Sequence, residues 1–294
     1  MDLQTIAQII PVDVPSNAEF ETLGTIKETT PNLLAFLESE KFLPGFLENP
    51  HIVAVITTPA LASMLPSKYG IATSNSPRKA FLTLHNQLVK SDFYWKDFPN
   101  EISADAVIHP NAYIAPRNVR IGRGTVIEPN VTILERTIIE EDVTLRAGCI
   151  IGSQGFYFSR IDGGIMGIAH AGGVVIHNRV EIQANTVVCS AVFHEPTEIG
   201  EDTKIDNLVH VAHNVKIGKR CLIVAHAMLG GNARIGDDVW IGPNASISNE
   251  ISIGNGAFIT LGSVVTRDVP PGHHVTGNFA IEHEKFLAFL KTIR

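Results

Sequence analysis

Cysteine is scarce in this chain: Cys149, Cys189 and Cys221 are the only three in 294 residues. An odd count without framework spacing excludes a disulfide-stapled secreted domain and points to a reducing cytoplasm. Positive charge is also thin. The formal net charge is -7 and there is no basic run, which argues against a nucleic-acid partner and against anionic membrane surfaces. No stretch approaches the ~20 apolar residues of a membrane span. Met1–Pro11 lacks the basic and apolar regions of a signal peptide. At most a peripheral membrane contact stays open. What the chain does have is a 45% hydrophobic content, enough to build a large core.

Those hydrophobic residues are spaced by six. From Ile199 an aliphatic side chain recurs at Ile205, Val211, Ile217, Ile223, Leu229, Ile235, Ile241, Ile247, Ile253, Ile259 and Val265. Earlier series run Ile102, Ile108, Ile114, then Ile121 to Ile151, and Ile176, Ile182, Val188. A helix with 3.6 residues per turn would spread these positions around its axis. Short strands that each turn a corner keep them on one inner surface, which is the sign of a β-helix. Three strands close one coil of eighteen residues, so positions eighteen apart stack. Glycine follows the aliphatic residue at Gly122, Gly218, Gly236, Gly242 and Gly254, as expected for a corner with positive φ.

The expected fold is mainly β, with three parts. Residues 1–100 lack the period and read as a small α/β domain. His51–Thr57 is a buried strand, and a helix begins at Pro77 with Ser76 as its N-cap. Lys90–Asn100 is a linker whose Phe93, Tyr94, Trp95 and Phe98 pack down. Residues 101–280 are the repeat domain, broken at Gly152–Gly173 and at Cys189–Glu198, where a solenoid builds binding surface. Residues 281–294 read as a short amphipathic helix, with Phe286, Phe289 and Leu290 on one face, capping the open end of the solenoid.

The polar cluster Asp206-Asn207-Leu-Val-His210-Val-Ala-His213-Asn214 interrupts an otherwise repetitive wall. His213 stands two places after the inward Val211, so its side chain leaves the corner towards a neighbour. A neutral imidazole there can take a proton from an amine or hydroxyl near pH 7, with Asp206 or another carboxylate fixing its tautomer. Gly231 lies eighteen residues on, and its backbone N–H can approach a reacting carbonyl. His177, His194, His210 and His226 raise an alternative zinc-hydratase reading, and Cys189 with His194 a nucleophile and base; neither spacing is specific, and no metal is expected. Phe156 and Phe158 are expected to line a ligand groove.

Over nearly its whole length the chain resembles the UDP-3-O-acylglucosamine N-acyltransferases of lipid A biosynthesis. The residues that carry the likeness are Ile205–Gly218, the Gly152–Phe158 segment, His170–Ile176, Asn32–Leu37 and Lys41-Phe42. The resemblance implies a left-handed parallel β-helix that forms a homotrimer, and a uracil-binding N-terminal domain with Phe36 and Phe42 around the base. It also implies His213 as general base, the Gly231 N–H as oxyanion donor and Asp206 as the motif aspartate. Asn207, His210, Asn214 and Glu250 would contribute to substrate binding. The implied reaction is attack of a glucosamine 2-amine on an acyl carrier protein thioester, carried on phosphopantetheine, with no tightly bound cofactor.

Several positions depart from the family pattern. Cys189-Ser190-Ala191 stands where Asp-Arg-Gly is usual, Glu250 where a second histidine is usual, and Ser39 where an asparagine is usual. The C-terminal helix is short. Gly242-Pro-Asn-Ala, Leu261–Pro271 and Gly277-Asn278 resemble acetyl-CoA-dependent sugar N-acetyltransferases. Two further readings therefore stand beside the first: an acetyl-CoA or short acyl-CoA enzyme acting on a nucleotide-linked amino sugar, and a non-catalytic sugar-nucleotide binder.

Overall fold

The computed structural model describes residues 1–277 and 280–292. Asn278, and the end of the expected C-terminal helix at Ile293 and Arg294, lie outside the described residues. Near the N-terminus, continuous apolar runs form β3 (Leu33–Leu37) and β4 (Ile52–Thr57), buried on both faces as parallel strands usually are. They are flanked by β1 (Asp13–Ser16), β2 (Thr22–Leu23) and β5 (Gly70–Thr73) in the order β1-β5-β4-β3-β2, with only β1 antiparallel. A short helix α1 (Leu3–Ile6) precedes β1, and α2 (Leu43–Glu48) and α3 (Pro59–Ala62) connect β3 to β4 and β4 to β5. The longer α4 (Pro77–Leu88) starts at the expected proline, but the Ser76 side chain makes no capping bond. Its buried residues Phe81, Leu84 and Leu88 join the core of this domain.

Among the described residues the six-residue period becomes three sheets of nine, eight and eight strands. Neighbouring strands are parallel and one coil apart: Lys204 pairs with Leu222 and Leu222 with Trp240. The aliphatic positions stack inside; Ile199, Val211, Leu229, Ile241 and Ile259 are all fully buried. Each such side chain is worth about 1.5–3 kcal/mol of burial, and the ladder is continuous from coil to coil. The first prism strand is Glu101–Ile102 and the last His274–Val275.

The corner chemistry differs from the expectation. Gly122, Gly218, Gly236 and Gly242 do not hold positive φ. They are small because the next coil lies directly above: a Cβ on Gly218 would sit 2.6 Å from the Gly236 carbonyl carbon. The left-handed residue comes two places later, and it is Asp202, Asn214, Arg220, His226, Asn232, Asp238 or Asn244.

Both interruptions of the period face the N-terminal domain. The first folds into a hairpin, Phe158–Ile161 with Gly164–Gly167. Ile168, Ala171, Val192 and Phe193, from the two insertions, enter the same apolar cluster as Phe20, Phe81 and Leu84. The linker joins them, with Tyr94 buried. Helix α5 (His283–Thr292) forms but buries none of its described residues. Phe286 and Phe289 are 45% and 53% exposed, so the helix does not cap the solenoid as expected.

Candidate functional site

The strand His210–Val211 turns Val211 into the core and His210 outward. The chain then turns at Asn214, whose φ is 59°, and this leaves His213 half-buried on the prism surface. Asn214 is the pivot. Its backbone N–H donates to Thr197 Oγ1 at 2.9 Å, and its Oδ1 accepts from the Val192 N–H at 2.9 Å. That same Oδ1 lies 3.3 Å from His213 Nδ1. Since Oδ1 is an acceptor, Nδ1 carries the proton and Nε2 keeps its lone pair. Burial is the main cause that holds the His213 pKa below the ordinary histidine value, so the ring is neutral at pH 7.

The free edge of His213 faces Gly231. A Cβ on Gly231 would lie 2.7 Å from His213 Nε2, so only glycine admits the ring there. Other coils cap the N–H at this corner position: Lys219 N–H donates to Asp237, Ala225 N–H to Asp206 and Asp237 N–H to Asn255. Among the described residues no acceptor takes the Gly231 N–H. An imidazole lone pair and an unused backbone donor therefore meet at one place.

The walls of this place come from Gly155–Phe158, the aromatic segment expected to line a ligand groove, and from His170, for which the sequence suggests no role. Tyr157 lies 5.2 Å from His213 between ring centroids, and His170 5.6 Å away edge-on. His170 donates from Nδ1 to the Ser190 carbonyl at 2.7 Å, leaving its buried Nε2 without a partner. Burial pushes its pKa down to about 4. Gly155 wedges between the two histidines; a Cβ there would be 3.1 Å from His170 and 3.4 Å from His213. The signal in the sequence was the glycine pair after His170. Gly172 and Gly173 press against the Phe193 and Arg136 carbonyls.

The remaining sequence candidates fall into different places. Asp206 does not orient His213: its oxygens accept from the backbone and side chain of Asn207 and from the Ala225 N–H. Asn214, expected to meet substrate, is buried and committed to the bonds described above. His210 and Asn207 are exposed on the same prism edge. Glu250, one coil beyond Gly231, pairs at 2.7 Å with Lys27 of the N-terminal domain. Phe156 and Phe158 are 89% and 52% exposed, their rings 4.9 Å apart. In the N-terminal domain Phe36 packs on Phe81 at 5.0 Å with the Arg78 guanidinium 5.7 Å from its ring. Phe42 is exposed in the turn Glu40–Phe42.

The alternative constellations are not assembled. His177 lies between Glu140 and Glu198, and His194 against Trp95. Among the described residues no three His, Cys, Asp or Glu side chains converge as metal ligands. Cys189 is buried, its thiol pKa raised by burial, with Ser153 rather than His194 beside it.

The family model described as bacterial transferase hexapeptide (six repeats) matches residues 118–153, 196–231 and 232–267. The unmatched stretch between the first two, residues 154–195, holds most of both insertions. The UDP-3-O-acylglucosamine N-acyltransferase of Helicobacter pylori is 32% identical over 97% of this chain and 92% of its own length. The protein of the same name from Azorhizobium caulinodans is 34% identical over 85% of this chain and 78% of its own. Among solved structures, the Francisella novicida UDP-N-acetylglucosamine acyltransferase superposes with a TM-score of 0.51 at 25% identity, covering 64% of this chain and 73% of that one. The Campylobacter jejuni UDP-N-acetylglucosamine acyltransferase matches with a TM-score of 0.50 at 20% identity, over 66% and 83%; this likeness shows the β-helix fold alone.

Proposed function

Because the chain belongs to the UDP-3-O-acylglucosamine N-acyltransferase family, we propose that it acylates the 2-amine of a UDP-glucosamine derivative in lipid A biosynthesis, with His213 as general base. The observation that carries this reading is the meeting of the His213 Nε2 lone pair with the free Gly231 N–H. In the proposed step the amine nitrogen attacks the thioester carbonyl carbon, and a C–N bond forms as the carbonyl π pair moves onto oxygen. His213 Nε2 takes the amine proton while the Gly231 N–H donates to the oxyanion. Collapse breaks the C–S bond, and the imidazolium returns its proton to the departing thiolate. The products are an amide and a free thiol. Asn214 positions the ring through Nδ1, the role first given to Asp206.

An acyl carrier protein is the proposed donor, with the exposed pair Phe156 and Phe158 as apolar surface for its chain. The N-terminal domain is the proposed seat of the nucleotide, with Phe42 as the exposed ring for uracil. A homotrimer is the proposed assembly. No helix among the described residues is long and apolar enough to cross a membrane.

The test is mass spectrometry of UDP-3-O-acylglucosamine incubated with protein and 3-hydroxyacyl carrier protein or, separately, acetyl-CoA. A long-chain mass gain is expected with the carrier protein, and His213→Ala should slow it by about 10²–10⁴. A near-normal rate in that variant removes His213 as base. Transfer from acetyl-CoA alone replaces the carrier-protein donor by a short acyl-CoA.

A further inference from the structure

Two consecutive residues of α4, His85 and Asn86, grip the polypeptide that leads into His170. Asn86 Nδ2 donates to the Gly167 carbonyl at 2.8 Å, and Asn86 Oδ1 accepts from the Ala169 N–H at 2.9 Å. His85 Nε2 donates to the Ala169 carbonyl at 2.8 Å, and His85 Nδ1 accepts from the buried Tyr94 hydroxyl at 2.8 Å. The backbone polar groups of Ala169 and the Gly167 carbonyl are thus taken by side chains of the N-terminal domain. The next residue is His170, whose ring stands edge-on to His213. The same stretch also holds Tyr157, because the Ile168 N–H donates to the Tyr157 carbonyl at 3.0 Å. Lys79, nearly two turns earlier on α4, pairs with Asp162 at the tip of the hairpin.

We propose that Asn86 and His85 are positioning residues for acyl transfer: by holding Gly167–Ala169 they set His170 and Tyr157 against His213, so the docked N-terminal domain completes the environment of the base. The proposal rests on the reading of His213 as that base. A side chain that fixes both a donor and an acceptor of one short backbone stretch constrains it in translation and rotation, as a single bond does not. Two aromatic walls set in this way exclude water from His213, and displacement of a catalytic wall by about 1 Å is enough to cost 10²-fold in rate.

The ionisable groups around His213 are His170, Tyr157 and His210, Cys189 behind Gly155, Arg234 at the Asn214 carbonyl, and Glu250 two coils on, paired with Lys27 of the N-terminal domain. Asn86→Ala removes none of them, so any change in His213 titration reports on position and hydration. Two measurements on the full chain test the proposal. The first is the pH profile of kcat/KM for Asn86→Ala, with kcat and KM separated there and in Asn86→Asp. Asn86→Ala is expected to lower kcat about tenfold or more with little change in KM for the nucleotide sugar, and to move the acid limb upward towards the ordinary histidine value. Asn86→Asp keeps an acceptor for Ala169 but sets a carboxylate against the Gly167 carbonyl and adds a charge, so its kcat should fall at least as far as that of Asn86→Ala, and its acid limb does not report on position.

The second is the rate of carbethoxylation of His170 and His213 by diethyl pyrocarbonate, read by peptide mass spectrometry. This needs no acyl-transfer activity. Severalfold faster modification of both rings is expected in Asn86→Ala. An unshifted pH profile with unchanged modification rates overturns the proposal. If Asn86→Ala does not fold, Asn86→Ser, which adds no charge, carries both measurements, with the same two outcomes. A wild-type protein that transfers no acyl group would overturn the acyltransferase reading, while the modification rates would still decide whether α4 sets the site.

Discussion

Leu208 holds φ at 59° with its side chain 49% exposed. Equivalent corners place Asp202, Asn214, Asn232 or Asn244 in that conformation, because short polar side chains tolerate it and a branched apolar one is strained by about 1–2 kcal/mol. Leu208→Asn should therefore raise stability by about 1 kcal/mol, or about 2–4 °C in melting temperature at this chain length; an unchanged or lower midpoint refutes the strain. Glu28 is the opposite case, a charge-bearing group where charge is unwelcome. It is 3% exposed and neither carboxyl oxygen has a hydrogen-bond partner among the described residues. Desolvation, and then Glu195, push its pKa up to about 8. A folded pKa above the unfolded value means that stability is fully present below about 4.5 and is lost as pH rises through 8. Glu28→Gln removes the ionisation penalty, so its melting temperature should exceed wild type at pH 8.5 and match it at pH 4. Nothing in the sequence around Glu28 marks it as buried, because Lys27-Glu28-Thr29-Thr30 has the look of an exposed turn. By contrast, His213 and Gly231 could be paired beforehand, because a strict eighteen-residue coil turns sequence separation into contact.

At the scale of the corner, two kinds of glycine act for different reasons. Gly218 needs the absence of a side chain, since a Cβ would meet the Gly236 carbonyl carbon at 2.6 Å. Gly262 needs φ of 64°, and no described residue lies within 4 Å of an added Cβ. Alanine at 218 overpacks rigid backbone and should cost about 1–3 kcal/mol, with displacement of the coil above. Alanine at 262 should cost about 1 kcal/mol, with no displacement. Chemical denaturation of both variants checks the order; equal losses would mean that conformation alone governs both positions. The period made the strands legible, but it could not separate these causes. Both glycines recur in the repeat, and only the axial distance between coils distinguishes them. The hairpin at 158–167 was hidden for a similar reason. Its glycines break the period without announcing a second one, and its partner surface lies on α4, far away in sequence.

For the whole molecule the decisive question is how stacking survives two insertions. In the uninterrupted part, coils follow at eighteen residues, but Ile139 pairs with Ile176 and Ile176 with Ile199, so these coils are longer and their loops leave the prism. A polar ladder crosses both irregular steps. Glu140 meets His177 Nδ1 at 3.0 Å, His177 Nε2 meets Glu198 at 2.7 Å, and Glu198 meets Lys216 at 2.9 Å. With a carboxylate on each ring nitrogen, His177 is best accommodated as the cation. The Glu198 hydrogen bond is the first cause that raises its pKa, and His177 is in turn the first cause that lowers Glu198 to about 2. The sign follows from the two directions. The His177 contribution is fully present below the unfolded histidine value of about 6.5 and disappears as pH rises through the higher folded value. The Glu198 contribution is present above about 4.5 and is lost only as pH falls towards 2. His177→Gln should therefore lower the melting temperature at pH 6 and converge with wild type on the alkaline side. This is the reverse of Glu28→Gln, which converges on the acid side. Melting curves of the two variants from pH 5 to 9 separate these contributions. A His177→Gln deficit that is constant across that range would show that the ladder works by neutral hydrogen bonding, without a cation at its centre.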